Sequence, residues 1–583
     1  MSNAYRRCDR IINAVSGPNV IDMGETYYFC NRISNAACGP NVTNLTSTYE
    51  RCANLKKAAC GDSVIDMISS YRNCPSLTTA VCGNNVKNML ETYANCISLT
   101  TAACGNNVET MYMTYYNCQA LTKAACGPKV QHMDNTYSLC QSLTSAACGD
   151  SVITMNNTYA YCYNLTTAAC GNNVISMDNT YANCSNLTAA TCGNNVKYMN
   201  YTYRNCSNLK TPKCGANVTD MDSTYYNCNN MTSIAKSNSI VNMNSTYYNC
   251  QYITGSPFCS NNAITMNYVY YNCNNMTGAA ACGPNVVNLT GTYYYCRKLT
   301  SAACGPNVIN MRDAYRGCSN ITTAVVGNSV QDASYAYASC SSIKTAVMGP
   351  NLTNIVGMYY YCSNISAAVI PDHITDISYT YAGTNITTAA CPVQIRNMTY
   401  AYAGCLNLKT PNIGINVTQG AGAYHNCQNL TTAVTTNNLS NMAGMYYNCY
   451  NMTGSPKCGE NVVNFGAWTR YSTLFGRNYA YYDGVYENCT NLRGSPVCGN
   501  LVTDMTYAYY NCTGLTGNPV CGPNVVKFGH TYYNCAGLTG TFVCGNKVTN
   551  MSYTYYNCIK LTGQAICPDS VSDLSYAYAY CNI

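Results

Sequence analysis

The sequence predicts a repeat solenoid, in which short parallel β-strands alternate with helical or 3₁₀ turns at a 22–23-residue period over about 26 copies. Three observations predict it. Leu77 to Cys96, LTTAVCGNNVKNMLETYANC, is preceded by LKKAACGDSVIDMISSYRNC and followed by LTTAACGNNVETMYMTYYNC. The cysteine closing each copy recurs every 22 residues from Cys8 to Cys250, then at 273, 296, 318, 340 and 362. Thr384 takes the next slot, and Cys405, Cys427, Cys449, Cys489, Cys512, Cys535, Cys558 and Cys581 complete the series. A tyrosine stands three residues before every slot, from Tyr5 to Tyr578. A chain of 583 residues exceeds one compact core, but a repeat array escapes that limit because each copy touches only its neighbours. The expected organisation is one solenoid over residues 1–583, with an insertion at 466–484 projecting from it.

Within one copy, Leu77, Ala80, Cys82, Val86, Met89, Tyr93 and Cys96 are the recurring apolar positions. Ala80 and Cys82 alternate about Val81, which suits a short strand with both facing inward. Gly83-Asn84-Asn85 is turn chemistry, because Gly and Asn tolerate positive φ. Val86 to Met89 starts the return, and Thr92 to Cys96 is expected as a single helical or 3₁₀ turn, too short to stand alone. The 23-residue copies add a glycine after the threonine, as in MTGSPKC at Met452 to Cys458, and this reads as a bulge at the strand entrance.

Residues 367–377, AAVIPDHITDI, and 565–581, AICPDSVSDLSYAYAYC, show the layout most plainly. It resembles the BspA-type leucine-rich repeat, with Tyr in place of Phe and Cys usually in place of the strand Ile. The resemblance implies a leucine-rich-repeat solenoid without catalysis, used for adhesion and binding on the surfaces of bacteria, some protists and bacteriophages.

Of the 43 cysteines, 25 close a copy and 18 lie on the strand. They read either as small buried thiols or as a disulfide or metal ladder. Internal substitution favours thiols: Ser16, Val326, Met348 and Ile370 replace strand cysteines while Cys8, Cys318, Cys340 and Cys362 remain. The spacing of eight then fourteen is not that of a zinc site. Lys236 occupies an inward strand slot, so either that strand is shifted or the ammonium escapes to an edge. The Tyr93 slot is expected to form an inward aromatic ladder, its hydroxyls met by backbone or water.

Two stretches break the pattern. Residues 326–435 exchange most strand cysteines for Val, Met and Ile, changing core volume. The insertion, GAWTRYSTLFGRNYAYYDG, carries the only tryptophan of the chain. Trp468, Arg470, Tyr471, Phe475, Arg477, Tyr479, Tyr481 and Tyr482 are the binding candidates, because insertions of solenoids often bind and Trp, Tyr and Arg are enriched at hot spots. The alternative is a self-packed loop.

Charged residues are only 9%, with 30 Lys and Arg scattered against 23 Asp and Glu, so no basic track for nucleic acid is expected. No apolar run suits a membrane span, and MSNAYRRCDRIINAV lacks the apolar stretch of a signal peptide. No catalytic site or cofactor is expected: His132, His373, His425 and His530 share no acid or nucleophile, and Asp66 and Asp220 read as solvating positions. The terminal copies show no polar cap, which favours head-to-tail self-assembly. The expected function is therefore an extracellular or virion-surface fibre subunit whose partner is itself. The rival is a monomeric adhesin or phage-tail receptor-binding protein for a surface protein or glycan.

Overall fold

The computed structural model describes residues 1–583 apart from Ala59, Phe475, Gly476, Ile566 and Ile583, with backbone alone described over 468–474 and 477–482. The chain divides into two compact units, Met1–Lys298 and Leu299–Ile583.

In the first unit the copies are successive coils joined by up to three parallel ladders, and the strand ladder lapses in the copies of Ser233 and Gly255. The strand ladder is short. It forms β1 (Asn13–Ala14) with β2 (Asn35–Ala36) and β3 (Thr167–Ala168) with β4 (Ala189–Ala190), while single bridges such as Lys57 to Thr79 to Thr101 join other copies. β5 spans Gly278–Ala279. A second ladder runs through Asn44, Asp66, Asn88, Thr110 and His132.

The third ladder replaces the expected helical turn, and neither an α-helix nor a 3₁₀-helix occurs among the described residues. Around Tyr93, alternate amides reach the next copy: Met89 donates to Thr110, Glu91 to Tyr112, Tyr93 to Thr114 and Asn95 to Tyr116, at 2.8–3.1 Å. The amides between them, Thr92, Ala94 and Cys96, close turns onto Met89, Glu91 and Tyr93. This alternation requires left-handed backbone at Glu91 (φ 53°) and Asn95 (φ 64°). A helix would direct every amide within its own copy; here half of them serve the neighbour.

The core is a set of repeated side chains. Tyr71, Tyr93 and Tyr115 stack at 5.3–5.4 Å with rings within 8° of parallel. Their hydroxyls bond strand carbonyls, Tyr93 to Val81 and Tyr115 to Ala103, which bears out the expected inward ladder. The residue before the core tyrosine is a fully buried threonine in most copies of the first unit, and the Thr92 hydroxyl donates to the Met67 carbonyl of the preceding copy at 2.7 Å. The closing thiol does the same, Cys96 donating to the Tyr71 carbonyl at 3.0 Å.

The strand cysteine is a weak acceptor, taking the amide of the next copy's glycine: Gly105 donates to the Cys82 sulfur at 3.2 Å. That glycine is needed for proximity rather than for positive φ. A Cβ on Gly105 would lie 2.5 Å from the Gly83 carbonyl oxygen. The extra glycines of the longer copies, by contrast, are left-handed at Gly255 (φ 86°) and Gly278 (φ 83°). Lys236 is exposed between buried Ala235 and Ser237, its ammonium 5.9 Å from the Phe258 ring.

The second unit repeats this plan through β6 (Leu299–Ser301), β7 (Thr323–Val325) and β8 (Thr345–Val347), with β7 and β8 paired in parallel. It also holds an antiparallel hairpin, β9 (Trp468–Leu474) and β10 (Arg477–Asp483). Where the strand cysteines are lost, the tyrosine ladder loosens: Tyr337 and Tyr359 stand 6.4 Å apart. A cavity of about 230 Å³ opens there between Thr345, Tyr359, Ile365 and Tyr381. The Tyr359 hydroxyl is buried without a hydrogen-bond partner among the described residues.

Thr384 tests the role of the closing cysteine. Its hydroxyl donates to Tyr381 at 2.7 Å and meets the Cys405 sulfur at 3.3 Å, so the replacement keeps a donor at that slot. Every cysteine is a free thiol. Among the described residues no helix is long and apolar enough to cross a membrane.

Candidate functional site

The insertion begins and ends on glycines that the next copy makes necessary. A Cβ on Gly466 would lie 2.4 Å from the Asp504 carboxylate, and one on Gly484 would overlap the Tyr507 carbonyl. Between them β9 and β10 pair in the register Trp468 to Asp483, Arg470 to Tyr481, Tyr471 to Ala480 and Leu474 to Arg477. The ribbon therefore gathers Trp468, Arg470, Tyr471, Arg477, Tyr479, Tyr481 and Tyr482. Trp468, Arg470, Arg477, Tyr479 and Tyr481 hold register positions of one face, Tyr471 and Tyr482 those of the other. Phe475 lies outside the described residues. The solenoid resumes directly, with Asn464 bridging to Asp504.

The end of the hairpin reaches a second feature. Asp483 is 2% exposed, and its Oδ2 lies 3.4 Å from Nε2 of His425. This corrects the expectation that His425 has no acid beside it. The two residues are far apart in sequence, and the insertion brings them together. Asp220, in turn, does more than solvate: its carboxylate accepts the Asp222 amide at 3.3 Å.

His425 belongs to an outer aromatic column. The slot after each core tyrosine carries stacked rings in several runs, such as Tyr226, Tyr248, Tyr271 and Tyr294 at 4.4–4.7 Å. His425 stacks on Tyr447 at 4.5 Å. On its other side the column is interrupted, because the two preceding copies place Ala382 and Ala403 in this slot, until Tyr360 resumes it. Those copies also place Gly383 and Gly404 where most others carry Asn.

The gap is a pit of about 290 Å³ lined by Tyr360, Tyr361, Tyr379, Tyr400, His425 and Asn426 over the small residues. Tyr360 meets Tyr361 edge-on (4.5 Å, 86°) and Tyr379 nearly so (6.3 Å, 70°), while Tyr379 and Tyr400 stack at 5.3 Å. Among the described residues no Lys, Arg, Asp or Glu lines the pit. Its chemistry is that of ring faces and edges, phenol hydroxyls, an amide and an imidazole. Among the described residues it holds no Ser, Thr or Cys that could act as a nucleophile. Among the described residues no three His, Cys, Asp or Glu are placed to hold a metal ion.

Sequence reasoning missed the pit. Its signal is the pair TYAGT and AYAGC at residues 380–384 and 401–405, set against TYYNC elsewhere. The loss of two bulky side chains in consecutive copies shows as a cavity only once the copies are stacked.

The family model described as the BspA type leucine rich repeat region matches residues 68–181, 153–277, 289–386, 357–469 and 480–583. No curated protein matches the chain. Among solved structures, a leucine-rich repeat protein from Bacteroides ovatus ATCC 8483 shares 15% identity, with 63% of this chain and 86% of that chain covered and a TM-score of 0.43. A leucine rich cell surface protein from Faecalibacterium prausnitzii A2-165 shares 14%, with 49% and 78% covered and a TM-score of 0.29. CroV588, described as a novel circular LRR protein, shares 14%, with 93% and 91% covered and a TM-score of 0.18.

Proposed function

Because the chain belongs to the BspA-type leucine rich repeat family, we propose that it is a non-enzymatic adhesive protein of an extracellular surface, engaging its partner through the hairpin and the aromatic pit. One observation carries this reading. Two departures from the repeat, the insertion and the gap in the outer column, meet at the Asp483–His425 contact of 3.4 Å. The ladder does not need the hairpin, since Asn464 bridges directly to Asp504 across the insertion. The test is binding of the intact chain to panels of extracellular-matrix proteins and glycans, with Trp468→Ala/Arg470→Ala as the comparison. Weakened binding by a variant that keeps its circular dichroism supports the reading; unchanged binding removes the hairpin from it.

Head-to-tail self-assembly into an extracellular or virion-associated fibre is the second reading. Its support is that the two faces of a copy are complementary, each carrying both donors and acceptors that match the other: Met89 and Glu91 donate to the following copy, while Lys87 and Thr100 donate to the preceding one. Electron microscopy of dilute protein separates the two: filaments favour assembly and single particles favour adhesion.

A further inference from the structure

We propose that the pit between Tyr360 and His425 is a binding site for a neutral sugar ring. The inference rests on the adhesive reading and names the ligand class of that site.

The first argument is the shape of the gap. In intact stretches of the outer column, rings follow one another at 4.4–4.7 Å and cover each other's faces. Two consecutive copies lack the ring, so the gap is a slot open along the column and closed at its ends by Tyr360 and the His425–Tyr447 stack. Its volume of about 290 Å³ sits at the lower end of the roughly 300–1,000 Å³ range of ligand pockets, which suits one or two small rings rather than a folded segment of protein.

The second argument is chemical. A pyranose presents an apolar C–H face, whose polarised hydrogens suit the negative face of an aromatic ring, and a rim of hydroxyls. The pit offers both complements: four tyrosine rings and an imidazole for the face, phenol hydroxyls and the Asn426 amide for the rim. The absence of charged lining residues among the described ones selects a neutral sugar over a uronic or sialic acid, whose carboxylate would be desolvated without a cation.

A third observation shows that small residues alone do not make this site. In the first unit Ala160 and Ala182 open a gap of about 250 Å³ in the same slots, but its lining is Asn157, Asn179, Asn183, Asn205, Tyr161 and Arg204. That gap is polar and carries a cation, with a single tyrosine against the four of the pit. It is a built-in control.

The experiment is titration calorimetry and saturation-transfer NMR on the intact chain with the methyl glycosides of glucose, galactose, mannose and N-acetylglucosamine, and with glucuronate as the charged comparison. At least one neutral glycoside should bind with a Kd of about 1 mM or tighter, and glucuronate should bind at least tenfold more weakly. Ala382→Tyr/Ala403→Tyr rebuilds the column and should weaken binding at least tenfold. Ala160→Tyr/Ala182→Tyr should leave it unchanged. Should the filled variant misfold, Tyr361→Ala, at an exposed ring, serves instead and should weaken binding at least threefold. Binding that ignores both the filled variant and Tyr361→Ala overturns the site. No glycoside binding, with hairpin-dependent capture of a protein from the panel, overturns the sugar and leaves the adhesive reading standing. No binding of either kind overturns both.

Discussion

Asn227→Ala and Asn227→Gly separate two contributions that the asparagine slot combines. Asn227 is left-handed, at φ 61°, and half-buried. Its amide donates to the Asn205 side chain at 3.0 Å and its oxygen accepts from Asn249 at 2.9 Å, so the side chains form a continuous ladder. Either substitution removes both bonds, at about 1 kcal/mol each. Alanine keeps the Cβ but loses the short polar side chain that makes asparagine tolerant of left-handed backbone, and so bears about 1–2 kcal/mol of strain that asparagine largely escapes. Glycine avoids that strain but frees the unfolded chain by roughly 0.5–1 kcal/mol. Alanine should therefore cost about 3–4 kcal/mol and glycine about 2–3 kcal/mol. The sequence has run part of this experiment, since Gly317, Gly383 and Gly404 occupy the slot with φ of 70–76°. Urea denaturation gives the global effect. Hydrogen exchange of the amides near Asn227 gives the local one, because repeat arrays need not unfold as one unit. An alanine variant as stable as the glycine variant would refute the left-handed account of this slot.

Gly105→Ala should destabilise by at least 1–3 kcal/mol, because its Cβ meets a backbone carbonyl at 2.5 Å that cannot turn aside, whereas Gly17→Ala, with nothing within 4 Å, should be neutral or better in the same melt. Tyr337→Phe loses a bond to the Val325 carbonyl and should cost about 1 kcal/mol, while Tyr359→Phe should cost nothing or stabilise; equal losses would mean that Tyr359 has a partner. Thiol titration of unfolded, unreduced protein should find nearly all 43 cysteines, and on folded protein the exposed Cys567 should react first. A large shortfall in the unfolded count would show disulfides. Burial pushes the thiols of Cys96, Cys140 and Cys184 up to about 12, against 9.0 in the unfolded chain, so the folded state holds these protons longer. Stability should be level below pH 9, then fall by about 1.4 kcal/mol per pH unit for each such thiol; a solenoid unchanged to pH 11 in circular dichroism would contradict this.

The period, the inward tyrosine and the burial of the closing thiols were legible because each depends on the chemistry of one slot, and that slot is sampled some 26 times in one chain; the strand cysteines are mostly half-buried instead. What remained hidden depends on the neighbouring copy. Gly83 reads locally as a turn residue, yet the demand on its slot is the carbonyl of the copy beneath. Thr92 to Cys96 reads as a helical turn because its i to i−3 bonds are local, while the amides directed forward leave no mark on a single copy. The hairpin could be bounded from the interruption of the period. Its contact with His425, and the pit that His425 closes, needed the stack.

The ladders also have a mechanical consequence. The bonds from Met89, Glu91, Tyr93 and Asn95 to the following copy, and from Thr92 and Cys96 to the preceding one, all run between copies. Within the first unit, tension along the stacking direction therefore loads successive copies in series, and the weakest interface yields before the rest. Each copy that peels away frees 22 residues, about 70–75 Å of contour length. Such a stack behaves as a fuse with many elements, dissipating a pull in repeated small failures and closing again as the same side chains find the same neighbours.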